Sequence, residues 1–228
     1  MASSMNAAAV DAAMHAAMGM PEMADWGMAE LVMLFLMWTV MMVAMMLPSA
    51  GPVVLLVLGT CRRRGRSARP LSVAFASGYL TAWTVFSLVA AVIQLFLHRV
   101  AVLSPAMATR SAVAGGAILL VAGAYQWLPL KNTCLVHCRS PLAFIASEWR
   151  DGAGGAFTMG LRHGLYCVGC CWALMLLLFA AGVMNLIWVA AIALFVLLEK
   201  VAPRGVLLGR AAGVLLMLWG AWILMRAV

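Results

Sequence analysis

The sequence predicts an all-α, polytopic integral membrane protein, a bundle of about six transmembrane helices. Three observations carry that prediction. Hydrophobic residues fill 66% of the 228 positions and charged residues only 10%, whereas a soluble globular domain carries roughly a quarter of its residues as charges. The apolar residues come in runs long enough to cross a hydrocarbon core of about 30 Å. The fifteen Lys and Arg residues, which give a net charge of +8, gather in short stretches between those runs. There they read as topology determinants rather than as a nucleic-acid surface.

Residues 1–25 form a Met/Ala-rich segment expected outside the membrane, and 26–228 form the membrane domain. No Lys or Arg occurs in the first thirty residues, so the positive n-region of a secretory signal peptide is missing and none is expected. Thirteen of the nineteen methionines lie in the first fifty residues. Met14, His15 and Met18 crowd the segment before the first span, and thioether and imidazole ligands suit Cu(I). A weakly helical leader packed on the bundle or on lipid accounts for the same composition.

The first span is expected at 31–47. The run Leu47-Pro48-Ser49-Ala50-Gly51-Pro52 should kink or break it before it resumes at 53–58. Within it Met33, Met37, Met41 and Met45 recur every four residues, a slowly drifting stripe of thioethers that either guides a soft cation or packs against core and lipid. The second span is expected at 71–97 and the third at 111–128, stopped by Pro129. A loop is expected at 129–161. The fourth, fifth and sixth spans are expected at 162–182, 186–199 and 211–225. Alternating these spans divides the basic residues twelve against three. The twelve lie near 61–70, 129–162 and 200–210, which puts those stretches in the cytoplasm and both termini outside. The spacings Gly160-x3-Gly164 and Gly205-x3-Gly209-x3-Gly213 permit close helix approach.

The chemistry concentrates between residues 134 and 171, where five of the six cysteines and two of the four histidines fall. Cys134, His137 and Cys138 sit in the 129–161 stretch. On the fourth span His163, Cys167 and Cys170 lie within about 60° at ~100° per residue, with Cys171 at the edge of that patch. Thiolates plus imidazole suffice for a Zn(II) site or a lower-coordinate Cu(I) site. Lys131, Arg139 and Arg162 nearby favour thiolates. Buried cysteines that only pack, a structural disulfide, and a redox pair formed by Cys167-x2-Cys170 are competing readings. Glu199 beside Lys200 reads as an interfacial pair, with an inward role for Glu199 as the other reading. No phosphate-cradling loop or pair of catalytic carboxylates occurs, which argues against nucleotide-driven pumping by this chain.

Three blocks carry a resemblance: Trp38-x2-Met41-Met42-Val43-Ala44-Met45-Met46-Leu47-Pro48-Ser49; Pro129-Leu130-Lys131-x2-Cys134-x2-His137-Cys138-Arg139-Ser140-Pro141; and Gly160-x2-His163-Gly164-x2-Cys167-x-Gly169-Cys170-Cys171-Trp172-x-Leu174-Met175. Together they resemble the bacterial domain-of-unknown-function family numbered 2182, described as predicted metal-binding integral membrane proteins. The likeness covers about residues 26–225. It implies metal binding in a bacterial cytoplasmic (inner) membrane and supplies no reaction.

The expectation drawn from these readings is a Cu(I)-binding membrane protein of copper transport or delivery. Cys134, His137, Cys138, His163, Cys167, Cys170 and Cys171 would be ligands, and Arg139 and Glu199 would support them. Met14, His15, Met18, Met33, Met37, Met41 and Met45 would form a path for the ion. Cu(I) is the favoured cofactor and Zn(II) the other. The expected partners are lipid and a copper-donor or acceptor protein, with neither nucleic acid nor nucleotide. Two alternatives stand beside it: a membrane thiol–disulfide oxidoreductase using Cys167 and Cys170, and an accessory subunit whose metal is purely structural.

Overall fold

The computed structural model describes residues 28–63, 65, 68–99 and 111–227. Met14, His15 and Met18 lie outside the described residues. What is described is all helical: α1 (Met28–Arg63), α2 (Ala68–Arg99), α3 (Ala112–Tyr125), α4 (Pro129–Arg139), α5 (Pro141–Glu148), α6 (Gly152–Met175), α7 (Leu177–Ala181), α8 (Leu186–Val201) and α9 (Gly205–Ala227).

Four helical stretches among the described residues are long and apolar enough to cross a membrane: α1, α2, α6 continued by α7, and α9. The pair α3 and α4, bent by 64°, makes a fifth when taken as one broken span. Four or five of the six expected spans therefore meet this measure among the described residues. The shortfall is one of length. At 1.5 Å per residue α8, with 16 residues, reaches only about 24 Å, short of a ~30 Å core.

The first span is not broken. α1 runs through Pro48 and Pro52 for 36 residues. Each proline removes an intrahelical donor, and polar side chains bond the backbone of the same stretch at Met46. The carbonyl of Met46 accepts from Ser49 Oγ at 2.8 Å and from the Tyr79 hydroxyl of α2 at 3.1 Å. The inward face of α1 is Leu34, Trp38, Met42, Met45, Met46, Ala50, Val53, Val57 and Cys61. A four-residue repeat drifts by about 40° per step, so the expected methionine stripe winds across the helix. Met33 is 70% exposed and Met45 5%, with Met37 and Met41 half-buried between them.

Small residues set the tightest crossings. A side-chain carbon at Gly160 of α6 would stand 1.9 Å from the Phe75 carbonyl oxygen of α2, so only glycine lets these backbones meet. α9 lies against α3 through Gly213 and Gly123. Its buried positions are Gly205, Gly209, Gly213 and Gly220, and Leu215 and Leu218 face outward. An outer surface this apolar is suited to lipid.

The stretch 129–161, expected as a loop, is mostly helical. Pro129 and Pro141 occupy the first helical positions of α4 and α5, where a missing N–H costs nothing. α6 begins at Gly152, ten residues before the expected fourth span. These differences place α4 flat against α6 and so decide where its cysteines go.

Candidate metal centre

The site is built on one face of α6. His163, Cys167, Cys170, Cys171 and Leu174 are all buried on it, at the spacing that aligns side chains along a helix. The thiols of Cys170 and Cys171 donate to the Cys167 carbonyl at 3.1 and 2.9 Å. These bonds turn both sulfurs back toward Cys167.

α4 brings the second group. The bend after α3 lays α4 across α6, where Gly169 leaves room for it. A side-chain carbon at Gly169 would lie 2.7 Å from Cys134 Sγ. The Tyr125 hydroxyl donates to the Gly169 carbonyl and fixes the hinge end. At the other end Arg139 Nη2 donates to the carbonyls of Ala202 and Pro203 at 2.6 and 3.0 Å, which ties α4 to the end of α8. Between these two fastenings Cys138 Sγ stands 4.0 Å from Cys170 Sγ. Cys138 is also near enough to Cys167 for their sulfurs to interact. None of the six cysteines is in a disulfide.

Two polar groups that sequence reasoning does not assign to the site reach Cys167. Lys200 Nζ of α8 donates to Cys167 Sγ at 3.0 Å and to Ser49 Oγ at 3.0 Å. Tyr79 OH is 3.1 Å from the same sulfur. The carbonyl of Met46 holds that tyrosine, so α1, α2, α6 and α8 all meet at one thiol. Met42, Met45, Met46 and Met175 are buried in the same cluster as Cys167, Cys170 and Cys171.

The two expected histidines pack against aromatic rings beside this group. The ring of His163 is boxed by Phe144, Tyr79 and Phe75 at centroid distances of 5.0, 5.9 and 6.0 Å. Its Nδ1 is buried with no hydrogen-bond partner among the described residues. His137 stacks on Tyr166 at 4.2 Å, with Nδ1 2.9 Å from the Thr133 carbonyl. Among the described residues, no three His, Cys, Asp or Glu side chains are arranged as a preformed metal cage. The structure thus gathers thiols without closing a polydentate set.

Glu199 does not pair with Lys200. Its carboxylate meets Lys131 Nζ of α4 at 2.6 Å, and both are buried. Lys131 donates as well to Gln126 Oε1. Gly209 makes the space, since a side-chain carbon there would come within 2.2 Å of Glu199 Oε1. A lysine buried inside a membrane bundle is costly and marks a site by default. That rule is the signal that could have found Lys131 and Lys200, whose positions beside basic loops make them look like topology determinants.

A two-thiol approach of 4.0 Å offers donors that suit a soft cation. Metal–thiolate bonds of about 2.3 Å span that separation at an open angle, as in a low-coordinate complex. No curated protein and no solved structure matches the chain. A family model described as PpoB2, copper chaperone, matches residues 35–223. That range takes in all six cysteines and every contact of the thiol cluster. The chain belongs to the PpoB2 copper chaperone family.

Proposed function

We propose that the protein receives Cu(I), holds it between Cys138 and Cys170 within the bundle, and passes it to an acceptor protein. Cys167 and Cys171 adjoin that pair. The observation that carries this reading is the 4.0 Å approach of Cys138 Sγ to Cys170 Sγ from two different helices. Membership of a copper chaperone family supports copper as the ion, and soft thiolates with few ligands suit Cu(I). Because Cys138 rides on α4 and Cys170 on α6, a small displacement of α4 separates the two ligands and releases the ion. A chaperone needs such a means of release and a structural metal does not.

Met42, Met45 and Met46 are a better route toward the thiols than the stripe from Met33 to Met45, because they are buried beside them. Thioethers bind Cu(I) without losing a proton and more weakly than thiolates, so an ion passing from methionine to cysteine moves downhill. The excess of basic residues near 61–70, 129–162 and 200–210 supports a cytoplasmic side for those stretches in a bacterial inner membrane. The likeness to family 2182 and the copper chaperone match occupy nearly the same residues, and we take them as one reading.

Titration of purified, reduced protein with Cu(I) against a chromophoric chelator tests this. One tightly held Cu(I) per chain is expected. Cys138→Ser and Cys170→Ser should each weaken binding by more than the roughly 10–100-fold that changes behind a metal's ligands cost. Binding unaltered in both variants contradicts the assignment.

A further inference from the structure

Lys200 is the one charged side chain in hydrogen-bond contact with the thiol cluster among the described residues. It is buried and makes two 3.0 Å contacts, to Ser49 Oγ and to Cys167 Sγ. Its chain neighbour Glu199 is engaged elsewhere by Lys131. Its charge acts on the thiols of Cys167, Cys170 and Cys138, on the hydroxyl of Tyr79, and also on His163 and Glu199. An ammonium withdrawn from water needs an anionic or strongly polar partner close by. Here the sulfur of Cys167 serves, backed by the hydroxyl of Ser49.

We propose that Lys200 is a specificity-determining residue of the copper site: by occupying Cys167 it confines the metal to the sulfurs of Cys138 and Cys170 and excludes Zn(II). This role rests on the copper site proposed above. Two physical effects act together. The first is coordination. Structural Zn(II) takes four ligands, almost always tetrahedrally, and would need Cys167 and Cys171 in addition to the pair. A Cys167 sulfur giving one lone pair to an ammonium is held in place and is a poorer electron donor for a four-ligand set, whereas Cu(I) is satisfied by few soft ligands. The second is charge. At equal distance a fixed ammonium repels a dication twice as strongly as a monocation, and the low dielectric of the bundle screens neither. The rings of His163 and His137 are packed on Phe144 and Tyr166, so recruiting either to the metal in place of Cys167 would break an aromatic contact.

The test uses the full chain in detergent or nanodiscs under reducing conditions. Cu(I) and Zn(II) are each titrated against a chromophoric chelator, and Co(II) serves as a spectroscopic probe of tetrahedral thiolate binding. Lys200→Met keeps an unbranched stem and removes the charge. It should raise Zn(II) affinity by about tenfold or more while Cu(I) affinity changes by less than about threefold, because a third sulfur becomes available and the repulsion is gone. Co(II) added to that variant should show intense thiolate-to-metal bands that the wild type lacks. Lys200→Arg, which keeps the charge, should hold the wild-type preference.

Cys167→Ser with Lys200 in place gives a second reading should Lys200→Met fail to fold. Cu(I) affinity within about threefold of wild type is expected there, since Cys167 serves the lysine and not the metal. A Zn(II) to Cu(I) ratio that Lys200→Met leaves unchanged, or a loss in Cys167→Ser as large as in Cys170→Ser, overturns the role of Lys200 and leaves the copper site standing. Wild-type protein that binds no Cu(I) overturns the copper site and this role with it.

Discussion

Adjacent residues on a helix point about 100° apart and do not face each other. Glu199 and Lys200 are a case of it. In sequence they read as a pair at a helix end. In the fold Glu199 turns to Lys131 and Lys200 to Cys167, so two lysines that look like loop charges become interior ones. Burying an ion pair gains little, but removing one partner leaves an uncompensated charge in low dielectric. Lys131→Met should therefore cost about 3–5 kcal/mol, and Lys131→Met combined with Glu199→Leu should recover most of it. Thermal unfolding in detergent measures both, and equal losses in the single and double variants would contradict the pairing. The cysteines are legible one by one because soft ligands are rare and are grouped in sequence. The histidines beside them are legible as candidates in the same way, and in the fold their rings also pack on aromatic ones, His163 on Phe144 and His137 on Tyr166. A sequence does not tell those uses of an imidazole apart.

At the scale of helices, glycine spacing is readable and proline is not. Gly160 and Gly164 are spaced for a close crossing, and the α2–α6 contact at Gly160 is a backbone-to-backbone one. Gly160→Ala should cost about 1–3 kcal/mol through overpacking. It should also draw Tyr79 away from Cys167, because Tyr79 lies one turn beyond Phe75 on the displaced helix. A melting temperature matching wild type would mean that the two helices can part without loss. Pro48, Pro52 and Pro129 all read as interruptions in sequence. The first two are carried inside α1, whereas Pro129, like Pro141, opens a helix of its own. The same residue type is carried inside one helix and starts another, and the local sequence does not separate the two cases. Tyr79 bonding to the Met46 carbonyl is a tertiary contact of the proline stretch, 33 residues away in the chain and invisible to any local window.

For the whole molecule, composition is enough to indicate an all-helical chain with membrane-crossing helices, because apolar runs of that length have no other stable use. Among the described residues the helices meet that measure for four or five of the expected six spans, because hydropathy is blind to length and bend. α3 and α8 are apolar enough but short, and the 64° turn between α3 and α4 leaves no hydropathic trace. The distribution of charge makes a prediction at this scale. Single cysteines placed at Arg63 and Arg204 in an otherwise cysteine-free chain should react with an impermeant maleimide only after the membrane is opened, and one at Glu30 should react in intact spheroplasts. The reverse pattern would invert the direction in which copper moves past the methionines toward the thiols.

These predictions converge on α4 and α6 holding one ion between their sulfurs. X-ray absorption at the copper edge, on reduced protein loaded with one equivalent of Cu(I), reads that arrangement most directly. Two sulfur scatterers at roughly 2.3 Å are predicted, lost when Cys138 and Cys170 are both Ser. A first shell of nitrogen or oxygen, or a sulfur shell that survives the double substitution, would contradict it.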